Sequence, residues 1–385
     1  MQFSLFDVLL LIGITQGLVT SVLLLLSKKN KISNRFLALV LIAFCLLSFK
    51  ILMITLKLWN NQFIAYLPIG VDLALAPLVY FYMQAAKHPN FKMKLKYLLH
   101  FIPFFLMQAY VIFIYLKVVG LVTFTTKKAM ATTLYYGPIK SLEDDLTMFS
   151  VIVYLSIGFI QLQQYRRWLR ENTSDTSYAT FRWLKSIYIL FSLTAISLII
   201  NFILDHLFHI NQTHFVQWQI HYLLITVVIY YLGFAGYKQP QYVVPDTTKL
   251  KLSISPSKEK LSADKQRDIL AKIDEAFIQK KVFLDSRINL KDLAKTLEVD
   301  ASDLSSVINQ SYQKNFRNLV NEHRVEEVKQ KLMGGQFDHL SILGIALECG
   351  FNSEASFNSE ASFYRIFKKA TGMSPSQYKN HQANQ

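Results

Sequence analysis

Cysteine is scarce in this 385-residue chain, which has two and therefore cannot build a disulfide framework. Cys45 lies within an apolar run and Cys349 within a mixed segment, and neither belongs to a Cys-x-x-Cys or stands near a pair of histidines. A zinc site needs such clustered ligands. We expect both cysteines to be small buried apolar residues, and we expect no metal and no cofactor.

Short motifs for catalysis and nucleotide binding are absent as well. The sequence contains no His-Glu-x-x-His, no Gly-x-Ser-x-Gly, no P-loop and no Gly-x-Gly-x-x-Gly. No cysteine and histidine are paired as nucleophile and base in a recognisable pattern. We expect no catalytic residues and predict that the protein is not an enzyme.

Acidic residues are outnumbered, with 26 Asp and Glu against 41 Lys and Arg and a formal net charge of +15. The excess is uneven, because residues 1–245 carry 20 basic and 8 acidic residues, whereas residues 246–385 carry 21 and 18. The basicity is concentrated beside long apolar runs, so total charge is not evidence for DNA binding. The chain divides into an apolar N-terminal part and a C-terminal part with the composition of a soluble domain.

Seven segments of the N-terminal part are long and apolar enough to cross a bilayer, which takes about 20 helical residues. The first lacks a basic start and is followed by its basic residues, so it is not a cleavable signal peptide. We therefore predict a polytopic seven-helix membrane domain over residues 1–237, with the lipid bilayer as a partner. The predicted spans are 4–27, 36–57, 66–86, 98–118, 147–165, 184–205 and 219–237.

Loop charges predict the orientation, because Lys and Arg are retained on the cytoplasmic side of a membrane. The first, third and fifth loops are rich in them, whereas the second has only Lys57 and the sixth has none. The fourth loop departs from this pattern with three lysines, although Glu143, Asp144 and Asp145 lie beside them. We predict that the N-terminus lies outside and the C-terminal domain in the cytoplasm.

Six ionisable residues fall within or at the outer ends of the predicted spans, where charge is costly and is by default a sign of function. The functional interpretation is a polar pocket that opens to the exterior and binds a ligand. The alternative is that Lys50 snorkels or pairs with one carboxylate while the others lie at interfaces, where charge costs little. The residues are Asp7, Lys50, Asp72, Asp205, His206 and His221.

The segment after the last span reads as a linker over residues 238–262, since it contains prolines and several Ser and Thr without a helical period. A helical pattern resumes at Ala263 and places Ile269, Ile273, Ala276 and Phe277 on one face. We predict an amphipathic helix that covers the helices after it. The third domain of the chain is then residues 263–385.

Two stretches of this domain follow a helix, turn, helix plan. In the first, a helix from Leu290 to Leu297 is followed by the turn "EVD" and by a helix from Ala301 to about residue 311. In the second, "LSILGIALECGFNS" places Gly350 in the turn and Phe351 as its apolar plug. Between them, residues 316–333 are long enough for one rigid helix of about 25 Å. The predicted fold is therefore all-α, with a cytoplasmic helical domain that contains two helix-turn-helix units.

At this point the chain resembles the DNA-binding domain of AraC-type (AraC/XylS) bacterial transcription regulators, over roughly residues 270–382. The resemblance is carried by "LKDLAKTLEVDASDLSSVIN", "NFRNLVNEHRVEEVKQKL" and above all "FKKATGMSPSQYK". A subgroup of that family has a multi-span membrane domain in place of a soluble effector domain, and this chain is similar to that subgroup. The resemblance implies a regulator that binds double-stranded DNA and is located in the bacterial cytoplasmic membrane.

The resemblance also implies which residues face DNA. The first recognition helix would present Ser302, Asp303, Ser305, Ser306 and Asn309 to the groove, although its outer face is acidic. Asn315 stands where the family commonly has a glycine, and it tolerates left-handed backbone. The implied phosphate contacts are Lys314, Arg317 and Arg324, and the second unit adds Tyr364, Arg365, Lys368 and Lys369.

We therefore expect a membrane-tethered, sequence-specific transcription regulator whose membrane domain senses an unidentified small-molecule or envelope signal, with a homodimer as a further candidate. The alternative is a membrane transporter or small-molecule-binding protein with an attached, degenerate DNA-binding or interaction module. Paired helices broken by Gly or Pro would favour transport, and the sequence shows no such symmetry.

A short repeat departs from the family pattern, because the six residues 351–356, "FNSEAS", recur at residues 357–362. Six extra residues in a helix add about 9 Å and rotate the remainder of the helix by about 240°. Either both copies are helical and Ser353 caps the helix, or the first copy enlarges the turn and Ser359 caps a helix of normal length. We favour the second arrangement, since it keeps Phe363, Ile366 and Phe367 packed and costs only loop entropy.

Overall fold

The structure is a computed structural model that describes residues 3–27, 31–58, 61, 64–87, 91–121, 123–173, 179–208, 215–237, 261–334, 337, 339–351 and 358–383. These residues form α-helices joined by turns and short 3₁₀ and π segments, with no β-strand in the ranges described. The all-α prediction is thus confirmed for this part of the chain. The predicted linker falls almost wholly outside these ranges.

The chain separates into two compact units, Met1–Leu162 with Arg182–Val244 and Gln163–Phe181 with Pro245–Gln385. The first unit contains α1 to α5, α8 and most of α6 and α7. Their bounds are Leu5–Leu26 (α1), Lys31–Thr55 (α2), Asp72–Lys87 (α3), Ile102–Val118 (α4), Phe124–Thr133 (α5), Tyr136–Asn172 (α6), Ala179–Phe208 (α7) and Val216–Tyr237 (α8). A 3₁₀ helix at Leu95–Phe101 leads into α4.

Six helical stretches in the described residues are long and apolar enough to cross a membrane. They correspond to α1, α2, α4 with its 3₁₀ extension, α6, α7 and α8. The predicted third span, residues 66–86, has no counterpart among these six stretches. It contains α3, which has 16 residues and is therefore about 24 Å long.

The helix α3 is shorter than its apolar sequence predicts because the chain before it is not helical. Tyr66 adopts a left-handed backbone with φ of 65°, and regular helix begins only at Asp72. Pro77 lies inside the helix, and most of its side chains are buried, Phe81 and Tyr82 at 1% exposure each. Seven membrane spans are therefore not confirmed by length and composition.

The predicted fourth loop contains helix that the sequence pattern did not predict. Residues 124–133 form α5, and α6 starts at Tyr136 and continues without a break through the apolar run to Asn172. Backbone hydrogen bonding extends a helix through polar residues as readily as through apolar ones, so the helix is longer than its apolar core. Glu143 and Asp144 therefore lie on a helix.

Small residues allow the first helices to pack closely. A β-carbon placed on Gly17 of α1 would lie 2.5 Å from Cys45 Sγ of α2 and 2.7 Å from Ile229 Cγ2 of α8. One placed on Gly13 would lie 2.6 Å from Thr226 Cγ2 of α8. Any side chain at either position would force the neighbouring helix to shift, so these glycines allow the close approach. Cys45 is buried here, as predicted.

The second unit contains seven helices and two apolar clusters in its described C-terminal part. The first cluster is formed by α9 to α11 with the start of α12, and the second by the rest of α12 with α13 to α15. The predicted apolar face is confirmed, because Ile269 and Ile273 of α9 and Ala276 and Phe277 of the π-helical segment after it are all buried. The bounds are Ala263–Asp274 (α9), Leu290–Thr296 (α10), Ala301–Tyr312 (α11), Phe316–Met333 (α12), Ile342–Glu348 (α13), Asn358–Thr371 (α14) and Pro375–Ala383 (α15).

The helix α12 belongs to both clusters. Phe316, Leu319 and Val320 pack in the first, whereas Val325 and Val328 pack in the second. The helix therefore ties the two halves of this region together through buried side chains. The apolar residues of α12 shift from one face of the helix to another about halfway along its length.

Candidate functional site

The two turns of this region have the same local geometry. Helix α10 ends with Glu298 in a left-handed conformation, φ 54°, and Val299 N donates to Ala294 O over 2.9 Å. Helix α13 ends with Gly350 at φ 88°, and Phe351 N donates to Ala346 O over 3.0 Å.

In both turns a second hydrogen bond closes the helix end, from Glu298 N to Lys295 O at 3.2 Å and from Gly350 N to Leu347 O at 3.0 Å. Together with the first bonds these define a Schellman motif, in which a left-handed residue ends the helix. The predicted plug Phe351 packs into the second cluster, and Val299 packs into the first at the matching position. The small residues Ala294 and Ala346 are buried at the two turns.

Helix α11, the predicted first recognition helix, has one apolar and one polar face. Leu304, Val307 and Ile308 are buried. The partly or fully exposed residues of the opposite face, spaced three and four apart, are Ser302, Ser305, Ser306 and Asn309. Asp300 caps the helix by accepting a hydrogen bond from Ser302 N at 2.7 Å. The structure therefore brings four of the five predicted groove-facing residues together as a neutral hydrogen-bonding surface.

The fifth predicted residue, Asp303, is engaged in an ion pair. Its Oδ2 lies 2.7 Å from Lys265 Nζ of α9. This pairing neutralises an acidic charge that would repel phosphate. Among the predicted phosphate contacts, Lys314 is in turn paired with Glu322, and Arg317 is partly exposed at the start of α12.

Arg324 is not on the surface, which contradicts its predicted role as a phosphate contact. Its side chain is 1% exposed, and its guanidinium donates hydrogen bonds to the backbone carbonyls of Phe283 and Asp285, each over 2.7 Å. The guanidinium also lies over the ring of Phe351, 5.9 Å from its centroid. The sequence pattern missed this because Arg is usually exposed unless it is paired.

Helix α14 carries three cations on one face. Arg365, Lys368 and Lys369 are exposed and spaced three and four apart, so they share a side of the helix. Tyr364 is partly buried and packs edge-on against Phe363, with centroids 5.3 Å apart. The structure therefore brings the three predicted cations together and places the tyrosine partly in the apolar cluster.

The repeated six-residue segment is described only in part. Phe351 of the first copy is buried against Phe363, with centroids 5.0 Å apart, and α14 starts at Asn358 in the second copy. Residues 352–357 lie outside the described residues. The helix therefore begins one residue before the predicted Ser359 cap, and Phe351 fills the turn.

Asn315 has a different role from the one the resemblance implied. Its backbone is extended, with φ of −77°, and its side chain caps α12 by accepting a hydrogen bond from Asn318 N. The left-handed residue before this helix is Gln313, at φ 55°. Ser374 and Pro375 begin the last helix.

Burial is the largest cause of a pKa shift for three groups in this region, His323, Tyr312 and Cys349. Burial lowers the pKa of His323, whose ring centroid lies 4.9 Å from that of Phe277 and 5.5 Å from that of Phe283. Burial, together with a 2.8 Å hydrogen bond to Asp274, raises the pKa of Tyr312 above its usual value. Burial raises the pKa of the Cys349 thiol to about 12, in keeping with the predicted inert apolar role.

Residues 293–381 match the model of the family described as "Helix-turn-helix domain". This match supports an AraC-type DNA-binding domain in the C-terminal part of the chain and a role for the protein in transcription regulation through double-stranded DNA. Proteins with this domain are DNA-binding regulators and generally not enzymes.

A comparison with curated proteins finds no match to the chain. Among solved structures, the chain is similar to a protein of unknown function from Listeria innocua, with 25% sequence identity over 30% of this chain and 94% of that one. The TM-score of that pair is 0.24, so the likeness carries no argument here.

A second candidate site lies in the first unit, where a cavity of about 460 Å³ is surrounded by α2, α3, α6, α7 and α8. Four of the six ionisable residues predicted for a pocket line it, namely Lys50, Asp72, Asp205 and His221. Lys50 Nζ and Asp72 Oδ2 lie 3.7 Å apart. The structure therefore brings together residues that are far apart in the sequence.

The remaining two predicted residues differ. Asp7 does not line the cavity, because its carboxylate caps α1 by accepting hydrogen bonds from Ser4 and also accepts one from Thr55 Oγ1 at 2.6 Å. His206 follows Asp205 in α7, and its side chain lies outside the described residues. Asp7 is thus a structural residue of the helix start.

The sequence pattern missed two charged residues of the cavity, Lys140 and Asp144. Lys140 Nζ donates a 2.6 Å hydrogen bond to Glu143 Oε2. Both side chains, like that of Asp72, lie within 4 Å of the position that a β-carbon on Gly70 would take. Their composition is typical of a loop, and the predicted spans leave them in one. The signal that could have found them is the acidic run directly before an apolar segment, if the helix is extended upstream.

Proposed function

We propose that this chain is a membrane-tethered, sequence-specific transcription regulator whose N-terminal helical unit senses a signal. The observation that carries the proposal is that six apolar helices of membrane-spanning length and a match to a helix-turn-helix family occur on one chain. The signal would act on DNA binding by the C-terminal domain, because both functions reside in the same polypeptide.

The likeness of the two Schellman turns supports two helix-turn-helix units, α10 with α11 and α13 with α14. Both turns place a small alanine and an apolar plug at the same positions. The helix α12 between them has 18 residues and is about 27 Å long. Successive major grooves on one face of DNA are about 34 Å apart, so two recognition helices joined by such a spacer could enter neighbouring grooves.

The two proposed recognition helices differ in chemistry. The exposed Ser and Asn side chains of α11 suit hydrogen bonds to base edges, whereas the three cations of α14 suit phosphate. We therefore assign base contacts to Ser302, Ser305, Ser306 and Asn309, and phosphate contacts to Lys314, Arg317, Arg365, Lys368 and Lys369, with Tyr364 beside them. Arg324 is left out because it is buried. Asp303 is left out because it is an acid already paired with Lys265, whereas Lys314 is kept because its ion pair with Glu322 is exposed and weak, so a phosphate can displace it.

For the membrane unit we propose seven spans, with α3 as a short third span, in a bacterial cytoplasmic membrane. An odd number places the two ends of the chain on opposite sides, and the basic first, third and fifth loops favour a cytoplasmic C-terminal domain. Fusions of alkaline phosphatase and of green fluorescent protein after residues 61 and 261 test this. Phosphatase activity after 61 and fluorescence after 261 are expected, and the reverse would overturn the orientation.

The experiment that tests DNA binding uses the full chain in lipid nanodiscs and selection from fragmented genomic DNA, followed by footprinting. Sequence-specific, salt-sensitive protection is expected. Paired half-sites in the protected DNA would support a homodimer, and a lone site would support a monomer. Uniform weak binding to all fragments would overturn the proposal.

The repeated segment offers a further test of the second unit. Deletion of residues 357–362 leaves a single copy, "FNSEAS", before Phe363. If the extra residues impair a DNA-reading unit, the deletion strengthens protection on the selected DNA. Unchanged binding would show that the second unit contributes little.

A further inference from the structure

We infer that the cavity in the first unit binds an organic ammonium ion with an apolar body. The inference deepens the proposed sensing role, on which it rests, by naming the chemical class of the signal. The volume of the cavity, about 460 Å³, falls in the range of about 300–1,000 Å³ that is usual for small-molecule sites.

More acidic than basic side chains line the cavity. Both lysines that line it have carboxylate partners, since Lys50 lies 3.7 Å from Asp72 and Lys140 lies 2.6 Å from Glu143. The two other carboxylates of the lining, Asp144 and Asp205, form no ion pair with any residue in the described ranges. The cavity therefore has an excess of negative charge, which favours a cation.

The two carboxylate oxygens of Asp205 have different surroundings. Its Oδ2 accepts a hydrogen bond from Trp218 Nε1 over 2.8 Å. Its Oδ1 is buried and accepts no hydrogen bond from any residue that the structure describes. A buried carboxylate oxygen without a donor is costly. An ammonium group of a ligand would supply the missing N–H and the compensating charge.

Aromatic side chains lie near Asp205 in the lining of the cavity. Trp218 lies edge-to-face with His221, with centroids 5.9 Å apart, and His221 with Tyr222 at 5.3 Å. All three line the cavity, and the rest of the lining is mostly aliphatic or aromatic. Aromatic faces attract organic cations, and the apolar walls bury the body of the ligand. A small inorganic cation would gain nothing from such walls.

An organic ammonium ion could be a free amine or the headgroup of an aminolipid. The test therefore uses the full chain in nanodiscs of phosphatidylglycerol alone and in nanodiscs with added phosphatidylethanolamine. Titration calorimetry with 2-phenylethylamine, which is protonated at neutral pH, is compared with its uncharged analogue 2-phenylethanol. We expect the amine to bind at least about tenfold more tightly than the alcohol in phosphatidylglycerol.

The lipid arm separates the two sources. If phosphatidylethanolamine weakens amine binding by competition, the headgroup is assigned as a ligand of the site, and if it has no effect, a free amine is assigned. If the wild-type protein binds amine and alcohol equally, or binds neither, the inference is overturned. This test requires no variant.

Variants place the ligand at Asp205. Asp205→Asn keeps the shape and an oxygen for Trp218 but removes the charge, and it should weaken amine binding at least about tenfold while leaving alcohol binding unchanged. The matched control is Asp145→Asn, an exposed acid on α6 that does not line the cavity. If Asp205→Asn binds the amine like the wild type, the assignment to Asp205 is overturned.

Footprinting on the same nanodisc samples keeps this inference distinct from the proposed function. Amine binding without specific DNA protection would overturn the regulator proposal and leave the ligand site standing. Specific DNA protection without amine binding would overturn the ligand site and leave the regulator proposal standing.

Discussion

Arg324 Nε donates a 2.7 Å hydrogen bond to the backbone carbonyl of Phe283, across the place where the two apolar clusters of the C-terminal region meet. A second guanidinium nitrogen donates to the carbonyl of Asp285, also over 2.7 Å. The side chain thus joins α12 to the segment before α10 and lies beside Gly350 in the second turn. A residue expected to reach a phosphate instead holds the fold together.

We predict that Arg324→Lys lowers the free energy of unfolding of residues 261–385 by about 2–3 kcal/mol. Lysine has a single nitrogen, and it cannot donate to two carbonyls in the fixed directions of a guanidinium. The fragment is suitable because both apolar clusters consist of its own residues. Urea denaturation measures the change.

The matched control for that substitution is Arg317→Lys, on the same helix but partly exposed. It should change stability by less than about 0.5 kcal/mol. If Arg324→Lys left stability unchanged and weakened DNA binding, Arg324 would be a phosphate contact after all.

Gly350→Ala should be more destabilising than a left-handed backbone alone explains. Its β-carbon would lie 2.7 Å from Phe283 O, 2.8 Å from Leu284 O and 2.9 Å from Arg324 Nε. Gly372 has a similar φ of 79° but open space around it, so Gly372→Ala carries only the conformational cost of about 1–2 kcal/mol. We expect Gly350→Ala to exceed this by about 1–3 kcal/mol in urea denaturation. Equal costs would show that the turn can relax away from Arg324.

His323 should make the C-terminal region less stable in mild acid. Burial lowers its pKa in the folded state, so the unfolded chain binds the proton more readily than the folded one. The penalty is absent above the unfolded pKa of about 6.5 and grows as the pH falls toward the lowered folded value. Stability therefore rises with pH across this window.

The check compares wild type with His323→Phe by urea denaturation of residues 261–385 between pH 7.5 and 5.5. Phenylalanine is a ring of similar size that can pack beside Phe277 and Phe283, and it does not titrate. The variant should lose less stability than wild type on acidification, and parallel pH profiles would show that His323 makes no contribution.

How far the sequence predicts this structure depends on the range of the interactions concerned. The buried face of α9, the turn plugs Val299 and Phe351, and the start of α15 follow from local spacing and turn chemistry, and the structure has all of them. Arg324 does not follow, because its partners at residues 283 and 285 are about forty positions away and are backbone carbonyls, which no side-chain pattern encodes.

The cavity shows the same division. Charge inside an apolar run is a local signal, and it predicted Lys50, Asp72, Asp205 and His221. Lys140 and Asp144 were missed because the polar start of α6 resembles a loop in composition, although it is helical. Asp7 does not line the cavity because its carboxylate accepts hydrogen bonds from Ser4 at the start of α1 and from Thr55 of α2. The contact with Thr55 joins residues that are far apart in the sequence, so no local pattern predicts it.

The different chemistry of α11 and α14 predicts that substitutions there separate specificity from affinity. Lys368→Gln removes one exposed cation, so it should weaken binding to all DNA fragments and reduce the slope of log K against log salt by about 0.9. Asn309→Ala removes a neutral hydrogen-bonding group from the polar face of α11. It should cost about 1–3 kcal/mol on the selected DNA, little on random DNA, and leave the salt slope unchanged. Gln330→Ala, which removes an exposed amide side chain near the far end of α12, is the matched control and should change neither quantity. If Asn309→Ala instead weakened binding to all fragments equally, α11 would contact the backbone of the DNA, and sequence reading would have to lie elsewhere in the domain.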